Sequence, residues 1–211
     1  TRSDLQIGAF SREFESIVSD LNVLSAHHQL RLITDGSESA DYAALANEFL
    51  VFCRSKNKYD QVRFLDATGM EVVRINFNQG HPVIVPADKL QPKGGRYYFK
   101  DTFSLEKGEL FVSPFDLNVE GGEIERPLKP MIRFGLPIFN TSGKKWGIIV
   151  LNYLGQELIE QIEKAADASN AVGFGMLLNS DGYFFKGIRS EDEWGFMLPG
   201  RDDKTFSRLF P

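Results

Sequence analysis

At Tyr59 the apolar residues of this chain change their period. Before it they recur every three or four positions, at Ile7, Phe10, Phe14, Ile17, Leu21 and Leu24, and again at Tyr42, Leu45, Phe49 and Phe52. That is the stripe of an amphipathic helix. After it they alternate. In Met70 to Phe77, Val72, Arg74 and Asn76 share one face, and Val73, Ile75 and Phe77 share the other. Such alternation suits a half-buried strand. A chain that runs helix, helix and then strands joined by short glycine turns is α+β with an antiparallel sheet.

The first stripe carries further information. Ser3 followed by Gln6 fits a capping box. The spacings 3, 4, 3, 4, 3 sustain a heptad seam until His28 weakens it. A seam of this kind packs on its own domain or pairs with a copy of itself, and different parts of one helix can do each. Thr34 to Ser39, with Gly36, breaks the pattern. A second helix is expected from about Asp41 to Arg54, with Cys53 beside its stripe as a small core residue. The single cysteine excludes an internal disulfide and a multi-thiolate metal site.

The strands follow in order. Gln61 to Leu65 and Met70 to Phe77 form a hairpin across Asp66-Ala67-Thr68-Gly69. A loop holding His81, Pro82 and Pro86 leads to Gly94-Gly95-Arg96-Tyr97-Tyr98-Phe99, which opens a helical excursion through Phe103. Leu110 to Phe115, Met131 to Phe139 and Trp146 to Tyr153 complete five strands, with a polar loop from Asn118 to Pro130 between two of them. Five strands with a helical excursion after the second describe a PAS-like module. A helix over Gln156 to Ala168 then introduces a second hairpin, Gly173 to Leu178 and Tyr183 to Gly187. Its Asn179-Ser180-Asp181-Gly182 turn repeats the pattern of the first, a weak internal duplication. The remainder through Pro211 is too short to complete a second sheet.

Several function classes drop out. Lys plus Arg is 24 against 29 for Asp plus Glu, a net charge of -5, so a broad nucleic-acid surface is excluded. No apolar run reaches a membrane-spanning length. Three histidines, two of them adjacent at His27 and His28, make no zinc site. Asp116, Glu120, Glu123 and Glu125 lack calcium-loop spacing and read as a solvated loop. No nucleophile elbow or phosphate loop is present, and no cofactor is expected. What remains is a polar-aromatic set: Arg74, Arg133 and Asn152 in strands, Arg96, Tyr97 and Tyr98 opening the excursion, and Ser113, Phe115 and Asp116 closing the third strand. An arginine inside a strand must find an anion, a carbonyl or water, and its fork fits a carboxylate. A small carboxylate-bearing ligand satisfies that need. So does an internal ion pair that merely locks the fold.

Three stretches carry a family resemblance: Leu110 to Glu125, which contains Ser113-Pro114-Phe115-Asp116-Leu117-Asn118, then Pro130 to Phe139, and Gly147 to Leu154. They resemble bacterial double Cache (double PDC) sensor regions, and Glu193-Trp194-Gly195-Phe196-Met197-Leu198-Pro199 resembles the start of that group's membrane-proximal module. The resemblance implies the extracytoplasmic, periplasmic part of an inner-membrane histidine kinase, diguanylate cyclase or chemoreceptor, anchored by flanking helices. It implies a helix over 1–37 for signalling and homodimerisation, a membrane-distal module over 38–153, and a linker helix with a partial membrane-proximal module over 154–211. The ligand pocket would lie between the sheet and the excursion covering it, at Arg96, Tyr97, Tyr98, Ser113, Asp116 and Arg133. A ligand there would bias the helix seam by population shift, and this region would do no chemistry itself. The rival is a module that senses a protein partner, or only dimerises, without a small ligand. A cytosolic PAS-type cofactor binder is disfavoured, with no haem-ligating His or reactive Cys in a suitable place, and so is an enzyme.

Overall fold

The first stripe becomes α1 (Arg2–Ser25) in a computed structural model that describes residues 2–120, 122–167 and 175–211. Ser3 lies inside its first turn, so the expected capping box is not the start of this helix. Where the seam weakens, the chain breaks and a separate α2 (His28–Thr34) follows. α3 (Tyr42–Lys56) is capped by Asp41, whose carboxylate accepts from the Ala44 N–H at 2.9 Å. Leu45, Phe49, Phe52 and Cys53 are buried, whereas Tyr42, expected in the same stripe, is half exposed at the helix start. Burial, with the Asp60 charge adding to it, pushes the Cys53 thiol up to about 11. At neutral pH it is an inert core residue.

The strands are β1 (Tyr59–Asp66) and β2 (Glu71–Asn76), then β3 (Val83–Ile84) inside the stretch read as a loop. The excursion is α4 (Tyr97–Ser104). β4 (Phe111–Val112), β5 (Asp116–Leu117), β6 (Val119–Glu120) and β7 (Glu123–Ile124) are short. β8 (Pro130–Phe139) and β9 (Lys145–Leu154) are long. α5 (Gly155–Asp167), β10 (Leu177–Leu178), β11 (Phe184–Lys186) and α6 (Phe206–Leu209) complete the chain. The strand expected from Gly173 begins outside the described residues. These elements divide into two units, 11–114 with 132–154, and 1–10 with 115–131 and 155–211. The unit that holds the sheet takes in most of α1, and 115–131 goes with the other.

In the first unit the sheet runs β3-β2-β1-β9-β8-β4. β1 is antiparallel to both neighbours, with Phe64 opposite Val73 and Ile149. α1 and α3 cover one face: Phe14 stands edge-on to Phe134 at 5.2 Å, and Phe52 stacks on Tyr59 at 5.8 Å. Ile17, Leu21 and Leu24 are wholly buried, so this half of the heptad seam is spent on the chain's own core. The side chains of Ile7 and Phe10 lie outside the described residues. The opposite face has two characters. Leu65, Ile148 and Val150 pack under Tyr98 and Phe99 of α4. Along the same strands, Arg63 lies opposite Val150, and Gln61 opposite Asn152, and this end of the face is polar.

The second unit is built on aromatic packing. Phe115 lies 4.8 Å from Phe185 and 5.3 Å from Trp194, beside buried Leu117, Ile159 and Leu198. Leu158 and Ile159 of α5 are buried. The polar loop of the sequence reading contains a small hairpin, Val119 opposite Ile124.

Candidate functional site

The polar end of the sheet is assembled by strand alternation. β1 turns Val62 and Phe64 to the helices, which leaves Arg63 on the other face, 3% exposed. One guanidinium nitrogen, Nη1, donates to the Tyr98 hydroxyl at 2.8 Å, and Nη2 donates to Asn152 Oδ1 at 2.7 Å. The Asn152 amide continues to Gln61 Oε1 at 3.3 Å. Arg74, opposite Arg63 on β2, donates from Nε to Asn76 at 2.9 Å. Between the two arginines lies Glu71, whose side chain is wholly buried: Oε1 is 3.9 Å from Arg63, and Oε2 is 3.6 Å from Arg74. Oε2 also accepts from the Gln91 N–H at 3.1 Å. Among the described residues, Arg63 Nε and Glu71 Oε1 have no hydrogen-bond partner.

Tyr98 is the centre of this cluster. The guanidinium carbons of Arg63, Arg133 and Arg96 lie 4.9, 5.9 and 6.0 Å from its ring, within reach of cation–π attraction. Arg133 is buried and donates to the Tyr97 hydroxyl at 3.4 Å. Arg96 and Tyr97 remain accessible at the start of α4. The face thus gathers cationic nitrogen, phenol and amide groups in a partly dry setting, the donor set that recognises carboxylates.

Six of the nine residues expected from the sequence meet here: Arg74, Arg96, Tyr97, Tyr98, Arg133 and Asn152. Ser113 lies beside them, but its hydroxyl is spent on backbone, accepting from the Arg133 N–H and donating to the Pro114 carbonyl, both at 2.8 Å. Phe115 and Asp116 do not join the cluster. They belong to the other unit, Phe115 in its aromatic core and Asp116 in a ladder opposite Met131. Arg63 and Glu71 were missed. Arg63 carries the signal that singled out Arg74 and Arg133, an arginine between apolar neighbours in a strand. Glu71 was invisible because a strand-end glutamate after a turn reads as solvated. In the acidic loop, Glu125 accepts from Asn118 at 2.8 Å and pairs with Lys129 at 2.7 Å. Burial raises its carboxyl, but these partners outweigh burial and hold it below its ordinary value. The side chain of Glu120 lies outside the described residues. Among the described residues no group of His, Cys, Asp or Glu is placed to hold a metal, and no helix is long and apolar enough to cross a membrane.

A mixed α/β chain with this antiparallel sheet has the fold of bacterial sensory domains. It matches a domain of a protein described as sensory box/GGDEF from Vibrio parahaemolyticus, at 26% identity and TM-score 0.72, over 98% of this chain and 78% of that one. It matches the extracellular domain of a protein described as the histidine kinase vpHK1S-Z8, at 27% identity and TM-score 0.74, over 98% and 74%. The ligand-binding domain of the Campylobacter jejuni chemoreceptor Tlp3, solved with 4-methylisoleucine, shares the fold at 14% identity and TM-score 0.61, over 94% and 71%. No curated protein matches the sequence. The profile of the bacterial histidine kinase sensor domain matches residues 3–211. The chain belongs to that family, and it is a sensor domain, with catalysis left to other domains.

Proposed function

We propose that this chain is the extracytoplasmic sensing region of a transmembrane receptor, and that it binds a small carboxylate-bearing molecule at the polar end of its sheet, beside α4. The observation that carries this reading is the convergence of three guanidinium groups within about 6 Å of one tyrosine ring in a protein of net charge -5. Positive charge collected against the overall balance, with Arg96 and Tyr97 accessible at its edge, suits an anion. Occupation of the cluster would bias α4 relative to the sheet, and α1 would carry the change. A pairing of α1 with a second copy would use the first positions of its stripe, since Ile17, Leu21 and Leu24 are already in the core.

A second reading, a module that senses a protein partner, is favoured by how much of Arg63 and Arg74 is taken up by Tyr98, Asn152, Asn76 and Glu71. A thermal-shift screen of amino acids, mono- and dicarboxylates, amines and nucleobases separates the two. The expected outcome is a saturable rise in melting temperature with one carboxylate class, since a ligand that binds only the native state stabilises it. The rise should disappear in Arg96→Ala, which removes an exposed side chain, and in Arg133→Ala. A flat screen on folded protein sinks the carboxylate reading and leaves the partner-sensing one.

A further inference from the structure

α4 is held to the sheet by different means at its two ends. At the C-terminal end Lys145 Nζ, from the start of β9, donates to the Phe103 and Leu105 carbonyls at 2.8 and 2.6 Å, satisfying acceptors that a helix end leaves open. Phe103 stacks on Phe99, one turn back, at 5.4 Å, and Tyr98 and Phe99 both join the apolar cluster over Leu65, Ile148 and Val150. At the N-terminal end the Arg96 side chain makes no cap, and Gly95 just before it has nothing within 4 Å of where a Cβ would stand. The short hydrogen bond here is from Arg63 to the Tyr98 hydroxyl.

We infer that Arg63 is the positioning residue of the site: its fork ties Tyr98 of α4 to Asn152 of β9, and so sets how far the N-terminal end of α4 stands from the sheet. The geometry fits a latch more closely than a ligand contact. Arg63 is 3% exposed, and its two terminal nitrogens are already engaged on two different elements. The accessible guanidinium is that of Arg96, whose carbon lies 6.0 Å from the same ring. A molecule that draws on Arg96 or Tyr97 therefore acts on Tyr98, and Tyr98 answers to Arg63. This inference rests on the reading of the polar cluster as the sensing site, but its test needs no ligand, so the two can fail separately.

The test is amide hydrogen exchange on the whole chain with Tyr98→Phe, Arg63→Met, the double variant, and Lys145→Met. Tyr98→Phe removes one hydroxyl and keeps the ring in the core, so it reports even where Arg63→Met fails to fold. The expected result is exchange at the Phe99 and Lys100 amides at least about tenfold faster, the loss of a hydrogen bond to a charged group, while β1 and β9 keep their protection. The double variant should add little to either single one. Lys145→Met should instead loosen the Leu105 end. A purely structural arginine predicts loss of protection throughout the sheet, and that outcome overturns the inference. So does unchanged exchange at Phe99 and Lys100, or full additivity of Arg63→Met and Tyr98→Phe.

Discussion

Asp20 sits on α1, yet groups from two other elements close on its carboxylate. The Tyr59 hydroxyl donates to it at 2.6 Å, and the ammonium groups of Lys56 and Lys58 stand at 2.6 and 3.6 Å. Lys58 also reaches Glu13 and Ser16, both at 3.1 Å. Burial, then the hydrogen bond with Asp20, pushes the Tyr59 hydroxyl well above its ordinary value, so it donates throughout the physiological range. This clasp fixes α1 from Glu13 onward against the base of the sheet. Asp20→Asn leaves buried Lys58, which keeps Glu13, and the more exposed Lys56 facing a neutral amide, and should cost about 3 kcal/mol in urea unfolding, the low end for a broken buried pair. Tyr59→Phe removes one donor to a charged acceptor and should cost about 1.5–2 kcal/mol. If Tyr59→Phe proves the more damaging, Asp20 is not the hub of the clasp. None of this was readable beforehand. Asp20 flanks the apolar stripe, where an aspartate reads as solvated, and a helix pattern does not say what a neighbouring strand will bring to it. Arg63 is the contrasting case: its signal was present, and only its weight was missed.

Among elements, the hairpin turns were the most legible. Asp66 Oδ1 accepts from the Thr68 and Met70 N–H groups, at 2.8 and 3.0 Å, and Asn179 Oδ1 accepts from Asp181 and Tyr183, at 3.0 and 2.9 Å. Asn140 Oδ1 does the same for Lys144 at 2.8 Å. An Asx side chain organises the turn locally, which is why sequence alone located it. The glycines that close two of these turns are not equivalent. Gly69 and Gly143 have φ of +81° and +82°, but a Cβ at Gly143 meets nothing within 4 Å, whereas one at Gly69 falls 2.3 Å from Gly94 Cα. Gly143→Ala should therefore cost only the left-handed strain, about 1 kcal/mol. Gly69→Ala must also displace the backbone that leads into α4, and should cost about 3 kcal/mol. Equal shifts of the denaturation midpoint would contradict the close packing of Gly69 on Gly94. α2 and β3 escaped the sequence reading for a different reason. Each is held by its surroundings, β3 by two residues pairing with β2, and segments so short carry too little periodicity to declare themselves.

At the scale of the whole chain, the sequence order and the folded units part company. The chain passes from one unit to the other at residues 10/11, 114/115, 131/132 and 154/155. A linear reading finds the change at 154, where a strand pattern gives way to a helix. It has no means of finding that 115–131, which reads as a strand end followed by a polar loop, belongs with residues far downstream. The physical sign of that membership is aromatic: Phe115 packs on Phe185 and Trp194, contacts that no local pattern encodes. The division has a consequence for dissection. A fragment of 38–153, the sheet module as sequence alone would cut it, loses Ile17, Leu21, Leu24, Leu30 and Ile33, all buried. It also carries Phe115 and Leu117 away from Trp194, Ile159 and Leu198, their partners in the second core. Burying each such side chain is worth roughly 1.5–3 kcal/mol, and the five lost from the helices alone approach the whole stability of an ordinary domain. The fragment is expected to lack dispersed amide signals and a cooperative melting transition, while 1–211 shows both. Dispersed signals and a sharp melt from 38–153 would mean that α1, α2 and the aromatic unit are accessories to a sheet that stands alone.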